Sequence, residues 1–140
     1  MSNFLEQQKQ LKIQTGIRKV EDEIVDAIEQ ALKDKNSYGD LEESQFRNLV
    51  RVADTTESIA VIKNFLLYQV GRDKKWGRGQ NSLAQRIIND IDDKIHNLAE
   101  KIQIDAEANQ DDFKLIRIEL TRRYLGYGAR YLVYKNKGEF

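Results

Sequence analysis

The chain has 140 residues, no cysteine and no proline, and its 23 basic side chains are balanced by 23 acidic ones. That length fits one domain with a modest core. The missing thiols exclude a disulfide framework, a thiolate metal site and a cysteine nucleophile, and a net charge of zero argues against adhesion to nucleic acid by bulk positive charge. Glu, Lys, Gln, Leu, Ile and Ala dominate, so the composition predicts an all-α domain, a compact bundle of about five helices over the whole chain, residues 1–140. No apolar run approaches the roughly 20 residues that span a bilayer, and the opening MSNFLEQQKQ lacks the apolar block of a signal peptide. The expectation is a cytoplasmic protein without a membrane partner.

Apolar residues at Ile13, Ile17, Val20, Ile24, Ala27, Ile28 and Ala31 recur at three-to-four spacing, which a helix aligns on one side. They predict a first helix over about residues 4 to 34, ended by the turn residues of KNSYGD. A second helix is expected from Leu41 to Ala53, carrying Phe46, Leu49, Val50 and Val52. Asp54 with Glu57 reads as a capping-box variant for a third. That third helix, ESIAVIKNFLLYQV, is apolar on most sides, a pattern that belongs in the centre of a bundle. Gly71 is its expected C-terminal cap.

After the loop GRDKKWGRGQN, Asn81 or Ser82 caps a fourth helix with the stripe Ile87, Ile91, Ile95, Leu98 and Ile102. Asp111 or Asp112 opens the last helix. Its stripe is Phe113, Ile116, Leu120, Tyr124, Tyr127, Tyr131 and Tyr134, and Arg123, Arg130 and Lys137 recur beside it at seven-residue spacing. Charge is sorted along the chain. Asn89 to Phe113 carries eight acidic and two basic residues, whereas Lys114 to Lys137 carries seven basic and one acidic. Sorting of this kind suits two faces with different partners.

Catalytic constellations are missing from the sequence. His96 stands alone, and without cysteines a metal site would need carboxylates gathered around it. Asp90, Asp92 and Asp93 lack the order of an EF-hand loop and read as a solvated acidic face. GRGQNS has neither the spacing nor the Lys-Ser/Thr pair of a phosphate-binding loop. A non-enzymatic protein without metal or cofactor is therefore expected.

Binding is better represented. In GRDKKWGRGQN the sole tryptophan, Trp76, stands among Arg72, Lys74, Lys75 and Arg78. Either the ring folds back onto the bundle, or the cations neutralise phosphates while the ring stacks on a base or meets another subunit. Tyrosines at heptad spacing usually pack inward, yet the basic excess of the last helix exceeds what its dipole calls for, which points to an anionic partner. Arg47 and Arg51, four residues apart, share one side of the second helix, where Glu43 or Asp54 could pair with them.

Two stretches carry a family likeness. SQFRNLVRVADTTESIAVIKNFLLYQVGRD and the C-terminal FKLIRIELTRRYLGYGARYLVYKNKG resemble the small helical subunit of type III CRISPR RNA-guided effector complexes. In that family a helix opening with Ser-x-hydrophobic-Arg leads into a buried helix ending aromatic-x-x-Gly-Arg, here Tyr68, Gly71 and Arg72, and an aromatic, basic helix closes the chain. WGRG and the ending YKNKGEF depart from the family pattern. The resemblance implies a subunit without catalytic residues, stacked in several copies along a backbone filament, beside guide RNA and target RNA and the larger subunits. It makes Arg47, Arg51, Arg72, Lys74, Lys75, Arg78, Arg122, Arg123 and Arg130 expected phosphate contacts, with Trp76 facing RNA or a neighbouring subunit. The competing expectation is a helical adaptor or homodimerising module with no nucleic-acid role, its tyrosine stripe docking a partner helix.

Overall fold

The apolar stripe of the first helix does what its spacing requires. In the computed structural model, which describes residues 2–138, α1 (Ser2–Lys33) buries Ile13, Ile17, Val20, Ile24, Ala27, Ile28 and Ala31 together. The helices that follow are α2 (Glu43–Thr55), α3 (Ile59–Arg72), α4 (Leu83–Asn89), α5 (His96–Asp105) and α6 (Gln110–Val133). A π-helical segment, Asp90–Ile95, joins α4 to α5 without a break, so the described residues form five helical rods. A second π-helical stretch, Tyr134–Gly138, extends α6. The all-α bundle is as expected.

Capping follows local chemistry, though not always at the expected residue. Ser58, not Asp54, caps α3, its hydroxyl accepting from Val61 N at 3.2 Å. Ser82 does the same for α4 through Gln85 N. Asn109 opens α6, exchanging hydrogen bonds with Asp112 in a capping box. Gly71 is not a left-handed cap. The helix runs through it to Arg72, and Asp73 closes α3 in extended backbone.

Strand order in a sheet has its helical counterpart here in the direction of the rods. Lys9 pairs with Asp112 at 2.9 Å near the start of α1 and α6, Glu21 meets Arg123 midway, and Gly128 sits against Ile28 farther along, so the two long helices are parallel neighbours. The Lys9 ammonium, by its hydrogen bond, holds the Asp112 carboxyl below the usual carboxylate range. Helix α2 runs the other way: Phe46, near its start, packs on Gly128, while Ala53 and Thr56, at its end, accept from Arg122. A Cβ at Gly128 would lie 2.6 Å from the Phe46 ring, so the absent side chain is what lets α2 and α6 come this close.

The central place expected of the third helix is taken by the last. α6, for all its charge, is the central rod: Ile116, Ile118, Leu120, Thr121, Tyr124, Leu125, Gly128 and Leu132 are buried on several of its sides. α3, for all its apolar residues, lies at the edge: Ile62, Leu66 and Gln69 are buried, Ile59, Phe65 and Val70 pack half-buried against the core, and Val61 47%, Leu67 57% and Tyr68 58% are exposed. Trp76 Nε1 and Arg117 Nε are buried without a hydrogen-bond partner, but the tyrosine and aspartate of the interior are matched. Tyr124 donates to Asp90 Oδ2 at 2.7 Å, and burial, reinforced by that carboxylate, pushes the phenol well above its ordinary pKa. Asp92 receives Lys63 of α3 at 2.8 Å and Arg117 of α6 at 3.4 Å. The expected solvated acidic face is therefore reduced to Asp93, since Asp90 and Asp92 tie the middle of the bundle together.

Candidate nucleic-acid interface

The loop between α3 and α4 is built inward. Asp73 accepts from Lys75 N at 2.9 Å, Lys75 O accepts from Gly39 N at 3.0 Å, and Trp76 O accepts from Ala84 N at 3.1 Å, supplying the first turn of α4. This frame turns Trp76 into the core, where it is 0% exposed with its ring 5.4 Å from that of Phe46. Gly77 completes the turn at φ 78°, and a Cβ there would fall 2.1 Å from Ser37 O. The expectation that Trp76 faces RNA or a neighbouring subunit is therefore overturned. Burying the indole removes more apolar surface from water than any other residue of the loop could, and its setting among cations concealed this.

Three of the expected cationic contacts are also absorbed by the fold. Arg122 is half-buried and donates to Ala53 O at 2.9 Å and Thr56 O at 3.0 Å, which satisfies the C-terminal carbonyls of α2. Arg123 binds Glu21 and, at 3.2 Å, Glu119. Lys75 pairs with Glu42 at 2.7 Å, a hydrogen bond that raises the ammonium pKa. None of the three offers an uncommitted charge.

Arg47, Arg51, Arg72, Lys74, Arg78 and Arg130 stay exposed, and none has an acidic partner among the described residues. Neither Glu43 nor Asp54 takes up the α2 pair. Arg51 donates to Asn48 at 3.0 Å instead, and Arg72 lies over the Tyr68 ring at 5.6 Å. With Ser44 and Asn48, Arg47 and Arg51 form one exposed polar stripe along α2. At the start of that helix Arg47 lines a surface cleft with Ser44, Asn136 and Lys137, where Asp40, Glu42 and Glu43 also stand. Lys75 holds Glu42 and Lys137 holds Glu43 at 3.2 Å, so much of the cleft's negative charge is neutralised from within. Seven residues before Lys137, and exposed like it, comes Arg130. The pairing of Lys75 with Glu42 sets the loop beside the cleft, and Lys74 O lies against Gly39, next to Asp40 of the lining.

The arrangement suits an extended anion better than a small one. Its cations are spread over α2, the loop and the end of α6, and the cleft between them is open and polar. Lys137 is the member that the sequence reading left out of the contact set, although its seven-residue spacing from Arg130 was visible. Among the described residues no cluster of three or more His, Asp or Glu side chains could hold a metal ion, and no helix is long and apolar enough to cross a membrane. His96 packs edge-on against Phe113 at 5.2 Å, and its Nε2 lies 3.8 Å from Glu100. Comparison of the chain with protein-family models, curated proteins and solved structures returned no match.

Proposed function

We propose that the chain is a non-catalytic, RNA-binding small subunit of a type III CRISPR ribonucleoprotein, contacting the guide–target strands through backbone phosphates. One observation carries the phosphate-binding part of this reading: Arg47, Arg51, Arg72, Lys74, Arg78 and Arg130 remain exposed and without acidic partners in a chain whose formal charge is zero. Other cations of the set are spent on internal carbonyls and carboxylates, as Arg122 and Arg123 are. Keeping these six uncommitted provides a positive surface on a neutral protein. The assignment to a CRISPR complex rests on the resemblance of residues 44–73 and 113–138. In such an assembly the strands read sequence by pairing with each other, and the protein supplies charge and shape.

The competing reading, a protein-interaction module seated on the tyrosine stripe, loses support in the fold, because Tyr124 is buried and Tyr127 and Tyr131 are half-buried within the bundle, which leaves only Tyr134 of the four exposed. Salt separates the two. Fluorescence anisotropy with a single-stranded RNA should show affinity falling steeply with salt, with a log–log slope of about −0.7 per phosphate neutralised. Affinity insensitive to salt, or none at low salt, would leave the interaction module as the better account.

A further inference from the structure

One face of the bundle is left without a covering. Along α3 the residues Ala60, Val61, Asn64, Leu67, Tyr68 and Gly71 are all exposed, a seam about 16 Å long at the helical rise of 1.5 Å per residue, with no charged group inside it. Three large apolar side chains on one face of an edge helix are more than scattered surface apolarity requires. Charges stand only at the ends and flank of the seam. Glu57 precedes the helix and Arg72 closes it, both exposed, while Lys63 on the flank is held by Asp92.

We infer that this face pairs with the same face of a second copy of the chain, α3 against α3 and antiparallel, about a two-fold axis through Asn64. The pattern along the helix is self-complementary under that operation. Asn64 lies midway between Ala60 and Tyr68 and midway between Val61 and Leu67, so the small Ala60 comes level with the large Tyr68, and Val61 with Leu67. On the axis the two Asn64 amides meet, each with a donor and an acceptor to offer the other, a pairing that fixes register in an otherwise apolar seam. At each end Glu57 of one copy comes level with Gly71 of the other, one residue from Arg72 and within reach of its long side chain. The N-terminus of each helix also meets the C-terminus of its mate, a favourable alignment of helix dipoles. A different occupant would have to match the small and large residues and both end charges at once, whereas a second copy matches them by symmetry.

The inference does not depend on the RNA reading, since of the six exposed cations it takes up Arg72 alone, and its test needs no RNA. A seam of three turns is small for a protein interface, so dimer is expected at tens of micromolar. Sedimentation equilibrium near 100 μM should give about twice the chain mass of 16.3 kDa. Leu67→Glu, at an exposed position, should return the monomer with an unchanged melting curve. Glu57→Arg and Arg72→Glu should each weaken the dimer about tenfold, and the double variant should restore it, because exchanging both charges on one chain rebuilds both end pairs. The native chain has no cysteine, so Asn64→Cys places a single thiol on the axis and should cross-link under mild oxidation far faster than a thiol at Asn97. A wild-type monomer at these concentrations overturns the inference. So does a dimer that survives Leu67→Glu, or a double charge variant no better than the single ones.

Discussion

Trp76 shows how a residue's neighbours in sequence can mislead about its surroundings in space. Its ring sits between Phe46 and the rest of the core while its carbonyl serves Ala84 N, so one residue anchors the loop by side chain and backbone at once. Trp76→Ala should cost about 3–5 kcal/mol in denaturant unfolding. Being the only tryptophan, it should also emit as a buried indole until the chain unfolds. Gly77→Ala should destabilise as well, since both the positive φ and Ser37 O oppose a side chain there. Tyr124 makes a prediction in pH. Its folded pKa is raised by burial, so its contribution is complete below the unfolded value near 10 and is lost as pH rises above it. Stability of the wild type should fall through that alkaline range, and Tyr124→Phe should flatten the fall. At neutral pH the same variant should cost about 1–3 kcal/mol, because Asp90 loses its buried donor. A steep alkaline loss that persists in Tyr124→Phe would place the responsible group elsewhere.

At the scale of elements, helices were legible and their neighbours were not. Periodicity in α1 identified the buried face residue by residue, because α1 turns one side to the core and the other to water. α3 was expected at the centre and lies at the edge, and the central place of α6 was not foreseen, for a common reason. Counting apolar residues cannot tell a helix buried in its own bundle from one whose apolar face awaits another molecule, and it undervalues a helix whose charges are satisfied internally. Arg117 and Arg122 reach backbone carbonyls of other segments, and Thr121 bonds Arg117 O at 2.8 Å, so α6 can be central without being apolar. The π-helical junction was invisible to a reading built on one period, although the aspartates at its start are what tie α3 and α6 to it. Arg122→Ala should expose this: removing the donor to Ala53 O and Thr56 O should cost about 1–3 kcal/mol. Hydrogen exchange should then quicken first at the C-terminal end of α2, where uniform quickening over the whole chain would show that the arginine serves the bundle generally.

On the scale of the molecule, charge sorting in sequence becomes an uneven surface. Part of the basic excess of the C-terminal third turns inward to carboxylates and carbonyls, while the exposed cations come from α2, the loop and the end of α6, segments distant in sequence and joined by folding. That is why the candidate site was only half legible: residue types showed, commitments did not. Arg47 and Arg51 look like paired helix cations and prove unpaired, and Arg123 looks available and is held by two glutamates. Because Arg47, Arg51, Lys74 and Arg78 make no ion pair among the described residues, replacing all four by alanine should leave the melting temperature within a few degrees of the wild type.

Affinity purification of the tagged protein from its native host at low salt, wild type beside that fourfold variant, with sequencing of bound RNA and mass spectrometry of bound proteins, tests the central claim most directly. The account predicts short RNAs sharing a repeat-derived end together with larger CRISPR proteins in the wild-type eluate, and at least a tenfold loss of RNA from the variant. Protein partners without RNA, or RNA recovered equally by both forms, would contradict it.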